Sequence, residues 1–116
     1  MKVYRIEDMK GGWFIGDFDP SVTKTKEFEI GYKIHPAGEK WDVHYHKEAD
    51  EITFLLRGKM IIQGKELNSG DIFMIPRYEV ADPVFVEECE VIIVKIPSIL
   101  GDKYVIPTAS SETISE

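Results

Sequence analysis

Short runs rich in Val, Ile, Phe and Tyr follow one another along almost the whole chain, and Gly, Pro, Asn or Asp separates each run from the next. Short apolar runs bounded by turn residues predict β-strands. Many such runs in succession predict an antiparallel sandwich or barrel. We therefore expect an all-β fold with almost no helix. The predicted strands are Val3–Ile6, Trp13–Asp17, Phe28–His35, Trp41–His46, Ile52–Arg57, Lys59–Gln63, Glu66–Leu67, Asp71–Ile75, Val84–Val86 and Val91–Ile96.

The length of 116 residues suits one small domain with a real core. No internal repeat and no long linker interrupts it, so we expect a single β-barrel domain over residues 1–106. Residues 107–116 are mostly small and polar, and this composition predicts a disordered tail. The segment Pro97–Tyr104 contains the turn residues Ser98 and Gly101, and the sequence explains no role for it.

The charge balance argues against nucleic acid or an anionic membrane as the main partner. The formal net charge is −7 and no run of basic residues is present, whereas phosphate binding depends on Lys and Arg. The first ten residues carry charges and lack the apolar stretch of a signal peptide. Cys89 is the only cysteine, so it is expected to be a small buried hydrophobe in a reducing compartment. We therefore expect a cytoplasmic protein.

Two of the three histidines, His44 and His46, lie one residue apart in a predicted strand. Side chains at i and i+2 of a strand point to the same face, and Glu51 can join them if the chain turns back over residues 47–50. Two imidazoles and a carboxylate are a donor set suited to a divalent transition metal. The alternative is a polar strand face near solvent. The opposite face of this predicted strand is apolar and consists of Trp41, Val43 and Tyr45.

The spacing of Gly38, His44, His46, Glu51 and Gly58 resembles the first motif of the cupin superfamily, with every diagnostic residue present. A second stretch, Gly70-Asp71-Ile72-Phe73-Met74-Ile75-Pro76 preceded by Leu67, resembles the start of the second cupin motif. The resemblance runs from Gly38 to about Phe85, nearly half of the chain. It implies the small antiparallel β-barrel of the cupin jelly roll, also called the double-stranded β-helix. It says little about function, because cupins include oxygenases, isomerases, decarboxylases, lyases, sugar-binding regulators and storage proteins.

The second motif then departs from the family pattern. Tyr78, Ala81 and Phe85 stand where cupins have glycine, histidine and asparagine, so the usual fourth protein ligand is missing. Asp82 is chemically able to replace it, but a one-residue offset turns a side chain to the other face unless the backbone is irregular. The resemblance therefore implies a site with three protein ligands, His44, His46 and Glu51.

This site has two interpretations. With a metal, which on chemical grounds can be Zn, Mn, Fe or Ni, the open positions take water, substrate or dioxygen. Without a metal, the three side chains form a hydrogen-bonded cluster that binds a polar ligand or moves a proton. The sequence thus predicts a metal-binding cupin that acts on a small polar metabolite, such as a sugar derivative or an organic acid. The alternatives are a non-catalytic carbohydrate- or metabolite-binding cupin and a metal-free nucleotide-sugar isomerase or epimerase.

Three further residues are candidates for catalysis. His35 precedes the loop into the first motif and is either a base or extra ligand at the barrel mouth, or an exposed strand-end histidine. Asp42 shares strand parity with His44 and is either inward-facing or a solvated surface residue. Tyr78 either hydrogen-bonds a substrate or packs. Lys33 and Arg57 are candidates for holding a carboxylate or phosphate group, or are surface charges.

The predicted strand after the motif has two distinct faces. Glu51, Thr53, Leu55 and Arg57 share one face, which we expect to line the barrel, so that the apolar face of Ile52, Phe54 and Leu56 points outward. An uncovered apolar face costs about 25 cal/mol per Å². We therefore expect the N-terminal strands or a second subunit to cover it, and we predict a homodimer packed through its sheets.

Overall fold

The computed structural model describes residues 1–107. The chain is mostly β-strand, which confirms the predicted all-β class. Two short 3-10 turns, Ile6–Asp8 and Lys10–Gly12, precede the first strand. The strands are β1 Trp13–Gly16, β2 Thr23–Lys24, β3 Glu29–His35, β4 His44–Tyr45, β5 Asp50–Arg57, β6 Lys59–Ile62, β7 Lys65–Asn68, β8 Ile72–Ile75, β9 Val84–Phe85, β10 Cys89–Ile96 and β11 Tyr104–Val105.

The strands of residues 1–107 form three sheets. The largest has six strands in the order β2-β1-β3-β10-β5-β8, and the others have the orders β7-β6-β9 and β11-β4. Every pairing is antiparallel except that of β1 with β2. Because β10 lies between β3 and β5, residues from the end of the chain stand beside residues from its middle. This strand order is the jelly-roll arrangement that the resemblance predicted.

The core fills the space between the large sheet and the three-stranded sheet. Alternate residues of β5 point inward, since Thr53 and Leu55 are buried while Phe54 is exposed on the outer face. Cys89 is 0% exposed, as predicted, and burial raises the pKa of its thiol. The central cluster of buried residues is Leu55, Met60, Phe85, Cys89, Val91 and Ile93.

The turn predicted at Asn68-Ser69-Gly70-Asp71 is present and joins β7 to β8. The backbone N–H of Asp71 donates to the carbonyl oxygen of Asn68 at 3.0 Å, and that of Asn68 donates to the Asp71 carboxylate at 2.7 Å. Gly70 has a φ of +95°, a conformation that residues with a Cβ rarely adopt. Asn68, Gly70 and Asp71 therefore form the tight turn that their residue types predict.

Several predicted strands are wrong in extent. Val3–Ile6 forms no strand, because Ile6 begins a 3-10 turn and no strand pairs with this segment within the described chain. The strand predicted over Trp41–His46 shrinks to His44–Tyr45, so residues 41–43 do not follow strand alternation. The short strands β2 and β11 were not predicted, since two residues carry no periodicity.

The predicted tail lies, apart from Pro107, outside the described residues. No helix among residues 1–107 is long and apolar enough to cross a membrane.

Candidate functional site

A cavity of about 280 Å³ lies between the sheets. All three sheets contribute to its wall, together with the loops that flank β4 and β9. One part of the wall is apolar and continuous with the core, and the other part carries titratable side chains. The lining residues are Trp13, Lys33, His35, Trp41, His44, His46, Glu51, Thr53, Met60, Ile62, Phe73, Ala81, Pro83, Phe85, Val91, Ile93, Lys95 and Lys103.

Both motif histidines face this cavity and are each only 4% exposed to solvent. His44 is held by its backbone, because its N–H donates to the carbonyl oxygen of Ala81 at 2.9 Å and its carbonyl oxygen accepts from the Ala81 N–H at 2.7 Å. The two imidazole rings lie 5.5 Å apart between centroids and nearly perpendicular to each other, at 81°. The shared direction predicted from the i, i+2 spacing is therefore present.

The other nitrogen of each ring is fixed by the backbone. His44 Nδ1 lies 2.8 Å from the carbonyl oxygen of Asp42, and His46 Nδ1 lies 2.6 Å from that of Asp102. A carbonyl oxygen only accepts, so Nδ1 carries a proton in both rings, and in the neutral ring Nε2 then keeps its lone pair. Burial lowers the pKa of His44, which favours the neutral ring. This is the tautomer that a metal-ligating histidine needs.

Glu51 joins the two histidines at the same wall. It follows the turn of residues 47–50, and its Oε1 atom lies 3.7 Å from His46 Nε2. The Asp102 carboxylate holds this turn, since it accepts hydrogen bonds from the backbone N–H groups of Lys47, Glu48 and Ala49 at 3.0 to 3.2 Å. The turn of residues 47–50, which the sequence predicted, is thus stabilised by Asp102, 53 to 55 positions along the chain.

The donor types and tautomers of His44, His46 and Glu51 fit a divalent transition metal. Their spacing is open, however: within residues 1–107, no three His, Cys, Asp or Glu side chains are close enough together to hold a metal ion. The three side chains would have to move closer together to bind one metal ion.

Ala81 and Asp82 take the positions that strand alternation dictates. Ala81 is buried, lines the cavity and is bridged to His44, while Asp82 is exposed and its Oδ1 accepts a hydrogen bond from the Gln63 N–H at 2.7 Å. The idea that Asp82 supplies a fourth ligand is therefore wrong, because the one-residue offset turns it away from the cavity.

Of the three candidate catalytic residues, only His35 lines the cavity. It is buried, its Nδ1 lies 2.9 Å from Glu39 Oε2, and its ring stacks on that of Phe85 at 4.1 Å, so the exposed strand-end interpretation is wrong. Asp42 is exposed because residues 41–43 leave the strand and lose its parity. Tyr78 is 65% exposed and also lies outside the cavity lining.

The irregular backbone at 41–43 has a second consequence. Trp41, predicted to lie opposite the histidines, lines the same cavity, and its indole centroid is 6.1 Å from the His44 ring. Trp13 lines the cavity too and is accommodated by Gly31, where a Cβ would lie 2.7 Å from the indole. Trp41 was predicted to lie on the face opposite His44 and His46, and this prediction is therefore wrong.

Sequence reasoning missed two cavity lysines, Lys95 and Lys103, and named a third, Lys33, only as a weak candidate. Lys95 follows Val91 and Ile93 at the inward positions of β10, and a lysine at an inward position of an apolar strand was the available signal. Lys103 had no such signal, because it belongs to an irregular segment. Arg57 pairs instead with Glu88 at 2.9 Å on the surface.

The segment Pro97–Tyr104 braces the site. Besides the contacts of Asp102, the Ser98 hydroxyl donates to the buried Glu29 carboxylate at 3.0 Å and accepts from the Asp17 N–H at 2.8 Å. Tyr104 pairs with Tyr45 in the two-stranded sheet. These contacts join residues far apart in sequence, so no local pattern could have predicted them.

No family model matches the sequence, and a comparison with curated proteins finds no match. Among solved structures, the chain is similar to an uncharacterised conserved protein with a double-stranded β-helix domain from Klebsiella pneumoniae, at 17% identity and a TM-score of 0.63 over 70% of this chain and 71% of that one.

It is also similar to the bacterial pirin YhhW of Escherichia coli, solved in complex with nickel(II), at 14% identity and a TM-score of 0.61 over 75% of this chain and 39% of that one. A third neighbour is the DMSP lyase DddQ of Ruegeria pomeroyi, at 20% identity and a TM-score of 0.58 over 71% of this chain and 44% of that one. The chain therefore spans less than half the length of the pirin and of the lyase. At such identities the likeness establishes the fold alone, and this protein has the double-stranded β-helix fold, which it shares with solved proteins described as cupins.

Proposed function

We propose that this protein is a small metal-dependent cupin in which His44, His46 and Glu51 bind a divalent transition metal and the cavity takes a small polar metabolite, such as a sugar derivative or an organic acid. One observation carries the proposal. The Nδ1–H groups of both histidines donate to backbone carbonyl oxygens at 2.8 and 2.6 Å. In the neutral rings each Nε2 atom is therefore left as an acceptor, and Glu51 lines the same cavity.

Two further features support a metal. A carboxylate partly removed from water needs cations or hydrogen-bond donors, and Glu51 makes no ion pair with a lysine within 4.0 Å in the described chain, so its oxygens can serve a metal. The Escherichia coli pirin with this fold was solved with nickel(II). The buried thiol of Cys89 and the absence of a second cysteine suit the reducing, cytoplasmic setting that the sequence predicts.

When bound, the metal would supply Lewis-acid activation or a site for dioxygen. The remaining tasks belong to the chain. Asp102 keeps His46 oriented and the turn of residues 47–50 closed, and the apolar wall formed by Met60, Ile62 and Phe73 keeps part of the cavity dry. His35 is the third histidine of the sequence and lines the same cavity. Paired with Glu39, it could accept a proton from a bound metabolite.

Elemental analysis of untagged protein after incubation with Mn, Fe, Ni or Zn tests this function. We expect about one metal atom per chain, and a large loss of metal in His46→Ala and Glu51→Gln, because each removes one of three donors. His35→Gln is the matched control, since it alters a histidine of the same cavity and should keep the metal. Metal well below one atom per chain under every loading condition would refute the proposal.

A second function, metabolite binding without chemistry, is favoured by the open spacing of the three donors and the alanine at position 81. It predicts that a metabolite raises the melting temperature of His44→Ala and His46→Ala as much as that of the wild type. A metal-dependent enzyme predicts a smaller shift in both variants.

A further inference from the structure

Three lysine side chains converge on two indole rings in the cavity. Lys33 Nζ lies 4.9 Å from the Trp13 ring centroid and 5.7 Å from that of Trp41. Lys95 Nζ lies 5.2 Å from the Trp13 ring, and Lys103 Nζ lies 4.2 Å from the Trp41 ring. Like charges gathered in one place repel each other, so this arrangement requires a reason.

Carboxylates balance these charges only in part within the described chain: Glu51 and Glu29 attract Lys33, and Asp42 and Glu51 attract Lys103, but none of them forms a close ion pair with either lysine. None of the three ammonium groups makes an ion pair within 4.0 Å in residues 1–107, and Glu51 is the one acidic residue among the lining residues. Glu51 and Glu29 flank Lys95 in register, but the Glu29 carboxylate accepts from the Ser98 hydroxyl, outside the lining. Burial lowers the pKa of Lys33, and repulsion from Lys95 lowers it further.

The positive cavity stands in contrast to the whole protein, whose net charge is −7. A cleft lined by one sign of charge, with apolar walls, raises the local concentration of ions of the opposite sign. Ammonium groups resting on aromatic faces keep their N–H donors available to an incoming oxygen.

We propose that Lys33, Lys95 and Lys103 form a binding site for a small organic anion that carries a carboxylate or phosphate group and lies against Trp13 and Trp41. The inference rests on the proposed function, because the lysines and the three proposed metal ligands line the same cavity. If Glu51 is committed to the metal, the lysines are left to neutralise the ligand. The cavity of about 280 Å³ limits this ligand to a small metabolite.

The two tryptophans provide the test, because they are the only ones in the sequence and both line this cavity. Quenching of their fluorescence is measured with iodide and with caesium at equal ionic strength, in chelator-treated protein. Each quenching constant is divided by that of the same ion for free N-acetyltryptophanamide, because iodide quenches an exposed indole more efficiently than caesium. We expect this ratio to be several-fold larger for iodide than for caesium, although a protein of net negative charge should favour caesium. We also expect malonate and inorganic phosphate, but not glycerol, to suppress the iodide quenching. The anion that acts at the lower concentration distinguishes a carboxylate from a phosphate ligand.

Lys103→Met removes one charge from an exposed loop position, so the fold is preserved. It should remove most of the preference for iodide and raise the malonate or phosphate concentration for half suppression about tenfold. Lys47→Met is the matched control, because Lys47 also lies on an aromatic ring, that of Tyr104 at 4.3 Å, but outside the cavity lining. Stronger quenching by caesium, no suppression by either anion, or equal effects of the two variants would overturn the proposal.

Elemental analysis on the same samples separates this inference from the metal. A preference for iodide that appears only after metal loading overturns the role of the lysines and leaves the metal proposal standing. A preference that persists in protein that binds no metal supports the anion site and counts against the metal proposal alone.

Discussion

His46 and Asp102 are joined by a hydrogen bond of 2.6 Å between the Nδ1 atom of the ring and the backbone carbonyl oxygen, across 56 positions of the chain. The same aspartate accepts three backbone N–H groups of the turn that leads to Glu51. Asp102, which lies outside the histidine motif, therefore fixes the tautomer of His46. It also fixes the path of the chain between His46 and Glu51.

Asp102→Ala should lower the free energy of unfolding by about 2 to 4 kcal/mol, because it leaves several N–H groups without their charged acceptor. Urea denaturation measures this loss. Asp82→Ala is the control, since Asp82 is exposed and accepts one N–H, from Gln63, so it should cost about 1 kcal/mol or less. Equal losses in the two variants would show that Asp102 does not brace the site.

Ala81→His should tighten metal binding about tenfold or more, because Ala81 is buried at the cavity wall and bridged to His44. Competition with a metal-binding dye measures the affinity. Asp82→His serves as control, since residue 82 points away from the cavity and should leave the affinity unchanged. A folded Ala81→His protein with the affinity of the wild type would contradict the assignment of His44 as a ligand.

Gly31→Ala should destabilise the protein by about 1 to 3 kcal/mol, because the new Cβ would lie 2.7 Å from the Trp13 indole. The strain is steric rather than conformational, and it should also change the fluorescence of Trp13. Thermal unfolding measures the loss. In a Trp13→Leu background the same substitution should cost much less, and a cost that stays the same in both backgrounds would contradict the packing argument.

The homodimer remains a proposal, and the outer face of the large sheet supports it. Phe54 stands opposite Ile72 on that face, and Ile52 stands opposite Met74; Ile72 is 68% exposed and Met74 56%. Light scattering at micromolar concentration should give twice the chain mass, and Ile72→Lys should reduce it to the monomer. Ile61→Lys, on the three-stranded sheet, should leave the dimer intact. A wild-type monomer would refute the dimer.

Cys89 should react with a thiol reagent only on unfolding, because its side chain is 0% exposed and burial raises its pKa. Labelling in native buffer and in concentrated urea, followed by intact mass measurement, checks this. Rapid labelling of the native protein would show that the core around Leu55 and Val91 opens readily.

The all-β class, most strand positions and a common direction for His44, His46 and Glu51, which line one cavity, could be predicted from the sequence. All of these depend on local periodicity, turn residues and spacing within fifteen or so residues. The sequence did not predict that residues 41–43 leave the strand, because the alternation of Trp41, Val43 and Tyr45 with polar residues is itself typical of a strand. It also could not assign roles to Asp102 and Lys103, which belong to an irregular segment. Lys95 and Lys103 line the cavity, and Asp102 holds the turn beside it, because β10 lies between β3 and β5 and the segment after β10 folds back over the motif. Long-range strand order, rather than local sequence, decided the charge of the cavity and the orientation of His46.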